Sequence, residues 1–202
     1  EYKLMGLAPY GQKNAAQTHN FIEIITSKLV HIFEDGSIWL DQNYFEYAFG
    51  LRMVNDKKWQ SIFGFPKRNE SEEITQNHCN LALAIQLVTE EIVLKLATEA
   101  ITTTGIKNLC LSGGVALNCV ANGKLLTQNS ADDIYIQPAS GDAGGALGAA
   151  FAVHYMYFNQ PRTIFENPKI ERYDFGPSFS EKEILSMTKK NRAVFELFID
   201  KK

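Results

Sequence analysis

The chain is short of features that would fix its class at once. Only three cysteines occur among 202 residues, Cys79, Cys110 and Cys119, with no CxxC pair among them. An odd set so spaced argues against a disulfide framework and for a reducing, cytoplasmic setting. Cys79 and Cys110 fall in apolar runs, where a free thiol behaves as a small hydrophobe. Runs of Lys or Arg are missing and the net charge is −3, so no electrostatic footprint for nucleic acid is present and none is expected as a partner. The most apolar run, residues 143–158, contains His154 and is too short to cross a membrane comfortably. No signal peptide is visible. The chain has no initiator Met and stops as the strand-like run "AVFELFI" finishes, so a piece of a longer polypeptide is expected.

What is present suits an ordinary globular protein able to form a core, with 45% hydrophobic and 21% charged residues. Residues 1–11 read as a turn-rich start, and residues 17–28 carry apolar positions at helical spacing. Two β-rich runs flank Asp35-Gly36, a strong hairpin signal. Residues 43–69 are aromatic-rich and read as irregular. From about 71 to 104 apolar residues recur every three or four positions, with Ser71 or Thr75 as cap and Gly105 beyond the end. Such a core helix would run about 45 Å at 1.5 Å per residue. His78 beside its apolar stripe reads as a packed or surface histidine.

Two strand–loop–helix units follow: "KNLCL", "SGG", "VALNCVANGKLLTQ", and then "DDIYIQP", "ASGDAGG", "ALGAAFAVHYMYF". Strands alternating with helices argue for parallel α/β structure. Near the end "SFSEKEIL" carries a capping box, Ser180 with Glu183. The expected organisation is an opening segment at 1–70, a nucleotide-binding α/β core at 71–160, and an extension at 161–202.

Parallel strands deliver their loops to the carboxyl edge of a sheet, where open α/β folds bind ligands. Glycines there allow the backbone to approach phosphate oxygens, and the next helix offers unpaired N–H groups. Ser112, Gly113 and Gly114 suit that role. Asn118, one helical turn further, is placed to reach a sugar or base edge. In the second loop Gly141 and Asp142 precede a helix; Asp142 reads either as a metal ligand or as an N-cap. Glycine and alanine at 144–149 fit close helix packing as well as ligand access. Neither loop is a GK[ST] phosphate loop or a GxGxxG turn.

Taken together, "EYKLMGLAPYG", "FGFPKRNESEEITQNHCNLA", "LCLSGGVALNCVANGKLL", "DDIYIQPASGDAGGALGAAF" and "FGPSFSEKEI" resemble, in order, the carbamoyltransferases of the nodulation and antibiotic-tailoring type. The blocks touch nearly the whole chain. The resemblance implies an actin/Hsp70/sugar-kinase-like (ribonuclease H-like) α/β domain, here partial, with an inserted β-hairpin and a long core helix. It implies an enzyme that uses ATP and carbamoyl phosphate to form a carbamoyl-adenylate and passes the carbamoyl group to a hydroxyl of a small acceptor. By position, Ser112, Gly113, Gly114, Asn118 and Gly141 are carried over as adenylate contacts. Asp142 is carried over as a ligand of a divalent metal (iron, zinc, manganese or magnesium). Glu1, Lys3 and Gly6 fall in a family signature, and Lys3 is placed to meet a phosphate or a surface carboxylate. The family's H-x-x-x-H pair has no counterpart among His19, His31, His78 and His154, and its general-base histidine is expected in an earlier part of the polypeptide. A YrdC-like adenylate-forming domain is expected to follow, so the remainder of its own polypeptide is an expected partner and the fragment alone is expected to be inactive. The alternatives are a sugar- or acetate-kinase-like phosphotransferase of the same fold and a non-catalytic nucleotide-binding module.

Overall fold

The computed structural model describes residues 2–128, 131–162 and 176–196. The chain divides into two units, residues Glu1–Asn159 and Gln160–Lys202. In the larger unit, the first segment is helical where turns were expected: α1 spans Tyr2–Leu7 and a 3-10 turn spans Ala8–Tyr10. Pro9 sits in the first turn of that 3-10 segment, where a missing N–H costs nothing. Helix α2 (Ala16–Ile24) continues into a π-helical turn, Ile25–Leu29. Strands β1 (Val30–Ile32) and β2 (Ile38–Leu40) then pair antiparallel, with His31 opposite Trp39.

The hairpin turns through three residues rather than Asp35-Gly36 alone. Phe33 N–H donates to Ser37 O at 2.9 Å and Gly36 N–H to Phe33 O at 3.1 Å. Asp35 Oδ1 accepts from the Ser37 N–H at 2.9 Å and its hydroxyl at 2.7 Å, and those two bonds hold the Asp35 carboxyl below its ordinary range. Gly36 takes φ +80° to complete the turn.

Helix α3 (Asp56–Phe63) corrects the irregular reading of residues 43–69. Asn55 caps it by accepting Lys58 N–H at 3.1 Å, and Gly64 closes it at φ 81°. Its apolar side, Trp59 and Phe63, packs toward Phe21 and Phe45, with Phe21 and Phe63 edge-to-face at 5.6 Å.

Helix α4 (Gln76–Thr104) is the centre of the unit. Thr75 N–H donates to His78 Nδ1 at 3.0 Å, so His78 serves as a reciprocal cap. Gly105 ends the helix at φ 71°. Ala84 and Val88 join the buried cluster of Phe21, Ile25, Leu29, Val30 and Phe63. Asn80, 2% exposed, accepts Gln12 N–H at 2.9 Å and donates to Gln17 Oε1 at 2.7 Å, tying the N-terminal segment to the helix.

After α4, strands β3 (Asn108–Leu111) and β4 (Asp133–Ile136) run parallel, with Leu109 opposite Ile134 and Leu111 opposite Ile136. A 3-10 turn (Gly114–Leu117) and helix α5 (Cys119–Thr127) link them; helix α6 (Gly144–Phe151) follows β4 and passes into a π-helical stretch, Ala152–Tyr157. Cys79 is buried, whereas Cys110, expected to act as a core hydrophobe, is exposed together with Cys119. The described residues are thus a mixed α/β structure with two small sheets. None of their helices is long and apolar enough to cross a membrane.

In the smaller unit, helix α7 (Glu181–Lys190) has the expected capping box. Ser180 N–H and hydroxyl donate to Glu183 Oε2 at 2.7 and 2.6 Å. The end of the strand-like run at 193–199 lies outside the described residues.

Two predictions follow from these turns and caps. Gly36→Ala forces a left-handed backbone on a residue with a Cβ and presses that carbon onto the α4 backbone at Lys95 and Leu96. It lowers stability by about 2 kcal/mol or more, read from the urea midpoint, and a loss under about 0.5 kcal/mol would contradict the turn. For Glu183 the Ser180 hydroxyl and N–H lower the carboxyl from its ordinary 4.5. A depressed carboxyl contributes to the cap above the unfolded value and loses that contribution as pH falls through the folded one. NMR titration of Ser180→Ala returns Glu183 toward its ordinary value; an unchanged titration would show that the box is not formed.

Candidate functional site

The two βα loops reach the same edge because β3 and β4 are parallel and paired end to end. They are then joined directly: Gly113 N–H donates to Ser140 O at 2.8 Å. Gly113 takes φ +95°, which a side chain would strain. A second close approach occurs at Gly144, where an added Cβ would collide with the Ala139 carbonyl.

Between the loops lies a cavity of about 490 Å³. The first loop lines it with Gly114, Val115, Leu117 and Asn118, and the second with Gly141 and Asp142. Helix α4 closes it with Ile85, Gln86 and Thr89, and α1 with Leu4 and Met5. Gly114 and Val115 open the 3-10 turn, a position where helix geometry supplies no carbonyl for their N–H groups.

The structure therefore gathers Gly114, Asn118, Gly141 and Asp142 but separates two other candidates. Ser112 is exposed and lines another crevice, with Val93 and Ala97 of α4. Gly113 spends its N–H on Ser140 and is a tie between the loops rather than a free donor.

Asn118 differs most from its expected role. It precedes α5 instead of standing a turn inside it, and is 8% exposed. Its Oδ1 accepts Ala121 N–H at 3.2 Å as an N-cap, and also Gln86 Nε2 at 3.1 Å. Its Nδ2 donates to Gln86 Oε1 at 3.0 Å. Capping and the link to α4 therefore occupy most of its hydrogen-bonding capacity.

Asp142 does not cap α6 with its side chain; Ala143 occupies the cap position and Gly145 N–H bonds the Asp142 carbonyl at 3.1 Å. Its carboxylate is exposed at the cavity rim. Among the described residues no group of three or more His, Cys, Asp or Glu side chains could hold an ion. Asp142 by itself does not make a metal site. Of the signature at the chain's start, Leu4 and Met5 reach the cavity, Lys3 is exposed, and Glu1 lies outside the described residues.

Sequence reasoning passed over Gln86, Glu90, Lys124 and Ser140. Glu90 is 3% exposed, accepts Gln86 Nε2 at 2.8 Å, and pairs with Lys124 of α5. Ser140 is 7% exposed, and its hydroxyl has no hydrogen-bond partner in the structure. Gln86 and Glu90 were detectable as polar residues four apart within an otherwise apolar stripe.

The profile described as "Carbamoyltransferase N-terminus" matches residues 1–151. The protein sll1178 of Synechocystis sp. is 42% identical over 202 residues, covering 99% of this chain and 32% of that protein. Nodulation protein NolNO of Sinorhizobium fredii is 37% identical over 177 residues, 88% of this chain and 23% of its own length. Nodulation protein NolO of Bradyrhizobium diazoefficiens is 34% identical over 154 residues, 76% of this chain and 25% of its own. The chain belongs to the carbamoyltransferase family and spans about a quarter to a third of the length of these curated relatives.

Asn118→Ala removes the α5 cap, worth about 1 kcal/mol, and strands the Gln86 amide, worth about 1–3 kcal/mol. A loss of about 2–3 kcal/mol in urea unfolding is expected. Asn118→Ser, which can still cap, recovers only the smaller share. Equal stability of the alanine variant and the wild type would show that the Gln86 pair does not form.

Proposed function

We propose that this chain is part of an ATP-dependent O-carbamoyltransferase of the actin/Hsp70-like α/β class, and that the cavity between its two glycine loops receives the adenylate of a carbamoyl-adenylate. The observation that carries this reading is that one cavity is lined by both loops, with Gly114 on one side and Gly141 and Asp142 on the other. Family membership supports the carbamoyl chemistry; ATP, carbamoyl phosphate and a small hydroxyl-bearing acceptor are the substrates proposed.

In the transfer step the acceptor oxygen bonds the carbamoyl carbon, the bond from that carbon to the AMP phosphate oxygen breaks, and the acceptor proton passes to a base. AMP is a far better leaving group than the hydroxide of carbamic acid. The chain's own proposed contribution is to orient: Gly114 and Gly141 allow the backbone to approach the ligand, and the Gly114 and Val115 N–H groups are proposed to meet its negative charge. Asp142 is proposed as one ligand of a divalent cation completed by side chains elsewhere in the polypeptide; the resident chemistry of that ion would be to offset phosphate charge. The base and the acceptor site are likewise assigned to the rest of the protein.

That division of labour is supported by the surface of the larger unit. Helix α6, made of glycine, alanine, leucine and phenylalanine, leaves no residue buried, and Tyr135, Val153 and Met156 are exposed. Parallel sheets are ordinarily covered on both faces. The remainder of the polypeptide is proposed to cover this surface, so the isolated chain is expected to be inactive.

The test is product analysis with the full-length protein supplied with ATP, carbamoyl phosphate and candidate acceptors. AMP, pyrophosphate, inorganic phosphate from carbamoyl phosphate, and a carbamate ester are expected, and Asp142→Ala lowers transfer about 100-fold or more. ADP with a phosphorylated acceptor would instead establish the phosphotransferase of the same fold, and transfer unaffected by Asp142→Ala would remove Asp142 from the site.

A further inference from the structure

The wall of the cavity has polar groups behind it whose directions are dictated one by another. Glu90 and Gln86 are one turn apart on α4, 3% and 4% exposed. A carboxylate accepts hydrogen bonds and donates none. Lys124 occupies Glu90 Oε2, and Gln86 Nε2 donates to Glu90 Oε1 at 2.8 Å. Gln86 must therefore turn its NH₂ toward Glu90, which leaves its Oε1 to accept from Asn118 Nδ2 at 3.0 Å. Asn118 is held from two sides: its Oδ1 accepts the Ala121 N–H, which can only donate, at 3.2 Å, and also faces Gln86 Nε2 at 3.1 Å. Flipping either amide would set NH₂ against N–H or oxygen against carboxylate. The circuit closes on itself, because Lys124 lies on the helix that Asn118 caps.

Such a chain settles the polarity of two residues that line the cavity. By inventory, both Gln86 Nε2 hydrogens are used, one on Glu90 and one on Asn118. Asn118 Nδ2 keeps one hydrogen and Gln86 Oε1 one lone pair, so the pair retains one donor and one acceptor whose identities are set from behind. Glu90 is buried while Lys124 stays partly exposed, and a buried charge of this kind is weak evidence of a contribution to stability, since a well-packed apolar pair of similar volume often serves a fold as well.

We propose that Glu90 and Lys124 are positioning residues: their ion pair holds the amide direction of Gln86, which together with the Ala121 N–H that orients Asn118 sets the hydrogen-bond polarity that the cavity presents to the adenylate portion of its ligand. This rests on the nucleotide reading of the cavity. Neither residue lines the cavity itself; both act through Gln86 and Asn118.

The test uses the full-length protein and ATP, with hydrogen exchange of residues 113–119 followed as ATP is added, so that an ATP site elsewhere does not obscure the result. Glu90→Gln keeps the shape but replaces an obligate acceptor by an amide that can face either way. The half-saturating ATP concentration for protection of 113–119 rises about tenfold, the worth of one misdirected hydrogen bond. The neutral double variant Glu90→Gln with Lys124→Met recovers melting temperature, because no charge is left unpaired, yet its ATP dependence stays raised. Phe21→Leu, on α2 and outside the cavity lining, lowers melting temperature and leaves the ATP dependence unchanged. Wild-type affinity in both Glu90 variants, measured well below their melting temperatures, overturns the positioning role while leaving the nucleotide reading intact. Absence of any ATP-dependent protection in the wild-type protein overturns both.

Discussion

Two parallel strands that end at one edge still leave their loops free to diverge, and the bond from Gly113 N–H to Ser140 O removes that freedom. It is made by backbone groups, so it depends on conformation more than on side-chain identity. Gly113 holds a positive φ where it makes this bond, a conformation a side chain would strain, and Gly144 must lack a Cβ for the second loop to fold back beneath Ala139. With that bond in place Gly114 and Asp142 line one cavity; without it they belong to two unrelated turns. Any binding by this face depends on the loops being held together before a ligand arrives, which spares the cost of ordering them at binding.

Helix α4 supplies the other constraint. It is buried on more than one side, so its polar positions are available for ties rather than for solvation. Asn80 holds the N-terminal segment, and Gln86 with Glu90 holds α5 and the first loop. One rigid rod thus sets the positions of α1, which contributes Leu4 and Met5, and of Asn118 across the same cavity. Each of these ties buries polar atoms that would cost about 1–3 kcal/mol if left unmade. The arrangement is therefore specific as well as stable.

Much of this was legible in the residues, for identifiable reasons. The α4 stripe, Gly105, the hairpin around Gly36 and the Ser180–Glu183 box are local signals, and local geometry decides them. The βα units at 108–158 were legible because strand and loop alternate in composition. Helix α3 was obscured by its aromatic residues, although Asn55 and Gly64 bracketed it as cap and stop. Asn118 was misplaced because a 3-10 turn intervenes before α5, a tertiary choice that periodicity does not report. Its partner Gln86 lies 32 residues away, a contact no spacing argument reaches. The pairing of Glu90 with Lys124 was hidden for the same reason, because Glu90 stands out only as a polar residue in an apolar stripe and Lys124 is an ordinary helix residue until the helices meet.

The family places the chain among carbamoyltransferases, and the role proposed for this segment rests on the cavity between its two loops. The most direct measurement is a structure of the full-length protein with a non-hydrolysable ATP analogue. The account predicts the nucleotide in the cleft between Gly114 and Asp142, with Asn118 and Gln86 behind it. Nucleotide bound elsewhere in the protein, with that cleft filled by protein side chains, would contradict it.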